Sequence, residues 1–193
     1  MAGRRVCLFG GTFDPIHDAH LKIASAALAQ FSLERVIFIP AAYPPHKNTE
    51  GLTSFEDRFR MVEIACEPFP EFCASRLEEE EKKPSYTVDT LERYRRNVSS
   101  DDQLFFLIGA DAFDELETWN RWRDVVKLTE FIVVDRPGCT FHLPKHAIAH
   151  RLSGLELPAA STAIRARLTA REPTPELPSR VRAFIEARHL YGT

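Results

Sequence analysis

In the stretch CLFGGTFDPIHDAH, residues 7–20, two histidines three positions apart, His17 and His20, follow two adjacent glycines, Gly10 and Gly11. Imidazoles can donate hydrogen bonds to an oxyanion whose charge grows during a reaction. Glycines without side chains let an anion approach the main chain and bond to its N–H groups. A helix starting near His17 adds partial positive charge at the same place, and positions three apart on it share a face. Residues of these types in this order suit a nucleotide triphosphate. Neither the GxGxxG fingerprint of dinucleotide-binding enzymes nor a GxxxxGK[ST] phosphate loop is present. An isolated HxxH would read as a half-exposed helical pair beside a glycine turn; the whole stretch behind an apolar strand reads as a site.

The elements that must hold these residues alternate along the chain. RVCLFG reads as a strand and HLKIASAALAQF as a helix, with Leu21, Ala24, Leu28 and Phe31 at helical spacing. RVIFIP is a second strand, followed by the Pro-rich loop AAYPPHKNTEG and a helix with Phe55, Phe59, Val62 and Cys66 on one face. EFCASR reads as a short strand and YTVDTLERYRRNV as a helix with Val88, Leu91 and Tyr94 on its apolar stripe. LFFLIG and FIVVDRPG are continuous apolar runs, as strands covered on both faces require. GLELP is a weaker strand; STAIRARL and SRVRAFIEARHL are helices. This βαβ alternation predicts an α/β, doubly wound, Rossmann-like parallel sheet with helices on both faces. In such sheets ligands bind beyond the carboxyl ends of the strands, where Gly10 and Gly11 fall.

The 193 residues are expected to form one domain, with no internal repeat and no linker. A composition of 44% hydrophobic and 27% charged residues with a net charge of −3 disfavours broad polyanion binding, so no nucleic-acid partner is expected. No apolar run approaches a membrane span, and MAGRRV enters a strand without a cleavable signal pattern. The four cysteines lack CxxC spacing and read as reduced, packed thiols, with the cytoplasm as the default compartment. The acidic run LEEEEKK reads as a solvated segment.

GGTFDPIHDAH resembles the GGTFDPxHxGH signature of the nicotinate-nucleotide adenylyltransferases, within the nucleotidyltransferase superfamily that carries an HxGH-type motif. PSYTVDTL at 84–91, GADAFDELETW at 109–119 and STAIR at 161–165 are similar to the family's further motifs in the same order. RPG at 136–138 and the final LYG add to a likeness that spans nearly the whole chain. The resemblance implies transfer of AMP from ATP to nicotinate mononucleotide, giving nicotinate adenine dinucleotide and pyrophosphate. Magnesium would bridge the phosphates, held mainly by ATP rather than by a protein cage.

Roles follow from the resemblance residue by residue. Gly10, Gly11, Thr12, Phe13 and Gly109 would line the ATP site. His17 and His20 would contact its phosphates, with His20 at the developing charge of the α-phosphate. Ser161, Thr162 and Arg165 would hold the leaving pyrophosphate, making His17, His20 and Arg165 the catalytic set. Asp111 would accept from ribose hydroxyls; on its own it reads as a helix N-cap. Trp119 would stack on the pyridine ring, whereas Trp122 reads as core. The segment of Tyr86 and Thr87 would read the nicotinate carboxylate through backbone N–H groups. His46 and Lys47, in a loop expected to order on binding, and Arg136 would reach the substrate phosphates.

The sequence departs from the family pattern at Ala19, where HxGH has glycine and a methyl could crowd the nucleotide, and at Ala160, which lacks a hydroxyl common there. The second departure leaves open which of Ser161 and Thr162 meets phosphate. Three other readings stand beside the first: an adenylyltransferase for nicotinamide mononucleotide or phosphopantetheine, a nucleotide-sensing or RNA-binding module without catalysis, and an NAD-dependent redox enzyme. The missing glycine fingerprint weakens the last.

Overall fold

A computed structural model describes residues 3–44, 51–79, 84–135, 141–155 and 160–193. Six parallel strands form one sheet: β1 (Arg5–Gly11), β2 (Arg35–Pro40), β3 (Phe72–Ala74), β4 (Gln103–Gly109), β5 (Glu130–Val134) and β6 (Ala149–Leu152), in the order 3-2-1-4-5-6. That order is the doubly wound arrangement, with its switch point between β1 and β4.

Side chains alternate across the sheet and build a core on each face. Cys7, Phe9, Val36, Phe38, Phe105 and Leu107 face one side, covered by α1 (Asp18–Gln30), α2 (Phe55–Cys66), α6 (Ser161–Thr169) and α7 (Ser179–Ala187). Val6, Leu8, Ile37, Ile39, Leu104 and Phe106 face the other, covered by α3 (Thr87–Arg95), α4 (Ala110–Asp114) and α5 (Trp122–Leu128). Burying both faces explains the unbroken apolar runs; a fully buried phenylalanine such as Phe38 contributes about 2 kcal/mol.

The described elements refine the sequence expectations. The last strand among the described residues is AHRL, paired with β5; GLELP opens at Gly154, φ +83°, and its residues 156–158 lie outside the described residues. The glycine conformation there ends the strand pattern. α5 was not expected, and α4 begins at Ala110, two residues before the helix that an N-cap at Asp111 would start. Glu78, in the acidic run, is largely withdrawn from solvent: its Oε1 accepts from the Thr90 hydroxyl at 2.7 Å, and its buried Oε2 has no partner among the described residues. Burial pushes its carboxyl up, against the hydrogen bonds from Thr90 and Ser85. Cys7 and Cys66 are buried and Cys73 partly so, all as free thiols; Cys139 lies outside the described residues. Among the described residues, no helix is long and apolar enough to cross a membrane.

Candidate active site

β1 and β4 end side by side. They pair up to Phe9–Leu107, so Gly11 and Gly109 each stand two residues further, at the mouth of the switch point. From there the chain turns through Thr12–Ile16 into α1, and this turn is pinned from three directions.

Arg58 on α2, only 1% exposed, donates from Nη1 to the Thr12 carbonyl at 2.8 Å and from Nε to the Thr53 carbonyl at 3.0 Å. Arg165 on α6 donates to the Asp14 carbonyl at 2.7 Å, with the Asp14 carboxylate 3.9 Å away, and the Ser161 hydroxyl donates to the Pro15 carbonyl at 3.1 Å. The Tyr191 hydroxyl, from the short 3-10 turn Leu190–Gly192, donates to the buried Asp14 carboxylate at 2.6 Å. Carbonyls and a carboxylate buried in a turn need such partners.

The glycines are used in a way the sequence did not disclose. A Cβ on Gly11 would stand 2.8 Å from the Phe13 ring, and one on Gly10 3.3 Å from Phe106. Phe13 sits in the core at 2% exposure, with φ +49°. Its side chain therefore lines no cleft; what it can offer a nucleotide is backbone. Gly11 is bare because a phenylalanine ring lies against it.

His17 caps α1 and is buried at 4% exposure. Its backbone N–H donates to His20 Nδ1 at 3.2 Å, and the two rings lie 3.9 Å apart with 32° between their planes. An Nδ1 that accepts leaves the proton of neutral His20 on Nε2. Phe9 and Phe13 flank the His20 ring at 5.9 and 5.1 Å. Burial pushes His17 down to about 4, against the pull of Glu176, so it is neutral at pH 7. Its Nδ1 is buried with no hydrogen-bond partner among the described residues.

α6 begins without a side-chain cap. Ser161 spends its hydroxyl proton on Pro15, whereas Thr162 is exposed, its oxygen 3.5 Å from Arg165 Nη2. Thr162 is thus the hydroxyl that remains able to donate outward. Ala19, on the first turn of α1, is packed at 6% exposure against protein.

The sites from the other strand ends are more dispersed. Gly109 caps α4 with open space around its Cα, and Asp111 is exposed in the first helical turn. Gly109 rather than Asp111 holds the cap position, which corrects the alternative reading of Asp111. Tyr86 caps α3 without a side-chain cap bond, and Thr87 is its first residue. A recess beside them is lined by Glu78, Ser85, Tyr86, Asp89, Thr90 and Arg93, and Trp119 does not line it. Trp119 is half-buried, its ring perpendicular to that of Phe106 with the centroids 6.3 Å apart; Trp122 is equally half-buried beneath the Arg123 guanidinium. His46, Lys47 and Arg136 lie outside the described residues.

The structure therefore gathers Gly10, Gly11, Thr12, His17, His20, Ser161, Thr162 and Arg165 around one turn. Sequence reasoning missed Arg58, Asp14 and Tyr191. Arg58 carried a signal: it falls on the apolar face of α2, between Phe55 and Phe59, where a cation is out of place without partners.

A parallel 3-2-1-4-5-6 sheet with paired imidazoles and a guanidinium over its switch point defines a nucleotide-handling α/β protein. Residues 8–167 match the cytidylyltransferase-like family. The chain is 46% identical, over 97% of its length and 100% of the other's, to the probable nicotinate-nucleotide adenylyltransferase of Solibacter usitatus (strain Ellin6076). It is 36% identical to the nicotinate-nucleotide adenylyltransferase of Bacillus subtilis (strain 168), covering 97% of this chain and 98% of that one. The fold matches that of the Plasmodium falciparum nicotinic acid mononucleotide adenylyltransferase complexed with NaAD, with a TM-score of 0.80, 19% identity and 97% of both chains covered. The chain belongs to the nicotinate-nucleotide adenylyltransferase family.

Proposed function

We propose that this chain transfers AMP from ATP to nicotinate mononucleotide, forming nicotinate adenine dinucleotide and pyrophosphate, a step of NAD biosynthesis in the cytoplasm. The observation that carries this reading is the convergence of His17, His20, Thr162 and Arg165 on the β1–α1 turn at the switch point, in a chain of this family.

An oxygen of the acceptor phosphate attacks the α-phosphorus in line, the new P–O bond forms, and the bond to the bridging oxygen of pyrophosphate breaks. The acceptor phosphate is already ionised at pH 7, so no general base is needed, and catalysis consists of positioning and charge stabilisation. His20 donates from Nε2 to the α-phosphate as its charge grows. Neutral His17 stands beside it as a second hydrogen-bonding group. Thr162, Arg165 and the α6 N-terminus receive the departing pyrophosphate.

No group of three or more His, Cys, Asp and Glu among the described residues could hold a metal ion. Imidazoles, a hydroxyl and a guanidinium complement phosphate oxygens, not a hard cation. These residues fit magnesium that arrives as part of the ATP substrate, where it neutralises phosphate charge.

The acceptor half draws on the N-terminus of α3 at Tyr86 and Thr87, which carries no side-chain cap and favours a carboxylate. Trp119 offers the aromatic face, and Asp111 with Gly109 the ribose contacts of ATP. His46, Lys47 and Arg136 complete the phosphate contacts of the acceptor.

The test supplies ATP and magnesium with nicotinate mononucleotide, nicotinamide mononucleotide or phosphopantetheine and measures pyrophosphate. Release should be fastest with the nicotinate acceptor. Equal or faster turnover of another acceptor overturns the specificity, and silence with all three favours a nucleotide-binding module without catalysis.

A further inference from the structure

Tyr191 occupies a conformation that bulky residues avoid, with φ +59° and ψ 23°. It is flanked by His189 at φ +51° and Gly192 at φ +78°. Such strain persists where surrounding contacts over-determine it, and it clusters at functional sites. Here the contacts are specific. The Thr169 hydroxyl, 3.0 Å from the Tyr191 carbonyl, also lies 3.0 Å from the Arg165 carbonyl one helical turn back on α6. The phenol oxygen donates to Asp14 Oδ1 at 2.6 Å and is hydrogen-bonded by the Thr53 side chain. Burial and the neighbouring carboxylate hold this phenol above its ordinary range, so it remains a donor at any physiological pH.

One residue thus meets three segments: its phenol reaches the β1–α1 turn at Asp14 and the entry to α2 at Thr53, and its main-chain carbonyl accepts from Thr169 on α6. Asp14 is the common point. With Oδ1 taken by the phenol, Oδ2 faces the Arg165 guanidinium at 3.9 Å, and Arg165 also donates to the Asp14 carbonyl. We infer that Tyr191 is a positioning residue for the ATP half of the reaction, orienting Asp14 so that Arg165 is held at the mouth of the β1–α1 turn to receive the β- and γ-phosphates. Without the hydroxyl, Asp14 is free to rotate, and its Oδ2 no longer holds the Arg165 guanidinium at the mouth of the turn. The distance between Tyr191 and the phosphates does not matter; its influence passes through Asp14.

This inference rests on the proposed nucleotide site, and the experiment separates the two. ATP and nicotinate mononucleotide KM values and kcat are measured for the wild type, Tyr191→Phe, Arg165→Lys and the double variant, with thermal unfolding as a folding control. Tyr191→Phe should raise the ATP KM roughly tenfold, the scale of one hydrogen bond to a charged group, and leave the acceptor KM within about twofold. In the Arg165→Lys background the same change should add little, because the residue it acts through is already altered. Asp14→Asn keeps an acceptor for the phenol but removes the charge beside Arg165, and should reproduce the ATP-side defect if Tyr191→Phe fails to fold. An unchanged ATP KM in a folded Tyr191→Phe, or in Asp14→Asn where Tyr191→Phe does not fold, equal effects on both substrates, or additive losses in the double variant overturn the inference while leaving the site intact. A wild type that does not bind ATP overturns the site and the inference with it.

Discussion

The backbone N–H of His17 donates to Nδ1 of His20 at 3.2 Å, and the two rings lie 3.9 Å apart. This bond assigns the His20 tautomer and aims its proton from Nε2. Replacing His20 with alanine removes the donor aimed at the α-phosphate. The expected loss is about 10²–10³ in kcat, measured by pyrophosphate release at saturating substrates. Near wild-type turnover removes His20 from the charge-stabilising role.

The two hydroxyls of α6 should separate. Thr162→Val deletes the outward donor and should raise the ATP KM about three- to tenfold with little change in stability. Ser161→Ala deletes the bond to the Pro15 carbonyl and should lower stability by about 1 kcal/mol with a smaller kinetic effect. Steady-state kinetics beside urea unfolding distinguishes them; the reverse pattern would assign phosphate contact to Ser161.

His17 makes the fold acid-sensitive. Its pKa falls from 6.5 to about 4 on burial, so between those values the unfolded chain binds a proton that the native chain does not. Stability from this residue is complete above pH 6.5 and declines as pH falls toward 4, by roughly 3 kcal/mol at most. Urea unfolding from pH 7 to pH 4.5 should show a shallower decline in His17→Gln than in wild type. Parallel curves contradict the assignment.

Ala19, the departure from HxGH, should be harmless to the nucleotide because its methyl is already packed at 6% exposure. Ala19→Gly is expected to leave the ATP KM within about twofold and to cost roughly 0.5–1 kcal/mol in stability from helix entropy. A markedly tighter ATP KM in the glycine variant would show that the methyl does crowd the site.

Arg58 is the buried bracket of the turn. Arg58→Met leaves the Thr12 and Thr53 carbonyls unpaired, at about 1–3 kcal/mol each, while relieving the desolvation of a guanidinium. The net expectation is a loss of about 2 kcal/mol by urea unfolding, with the ATP KM rising as Thr12 relaxes. No change in either quantity separates Arg58 from the turn.

How much of this was legible in the sequence depends on how local the cause is. β1, β2, β4 and β5 were readable because two-sided burial leaves continuous apolar runs such as LFFLIG, whereas β3, a three-residue edge strand, showed only in the short EFCASR pattern. β6 was not, since an edge strand of four residues, AHRL, needs no such run. α4 has five residues and α5 seven, too short for a helical period to stand out. The glycine–histidine turn was legible as a contiguous motif. Its supports were not: Arg165 and Tyr191 meet Asp14 from 151 and 177 positions away, and Glu78 looked solvated until Thr90 was brought to it by the fold. The Phe13 ring against Gly11 is local in sequence, yet its direction depends on a left-handed backbone that residue type alone does not announce.

The account is tested most directly by a crystal structure of the chain with a non-hydrolysable ATP analogue and magnesium. It predicts the triphosphate over the ends of β1 and β4, with phosphate oxygens within hydrogen-bond distance of His20 Nε2, Thr162 and Arg165. A nucleotide bound at any other place on the sheet, or a crystal that excludes it at millimolar concentration, would contradict it.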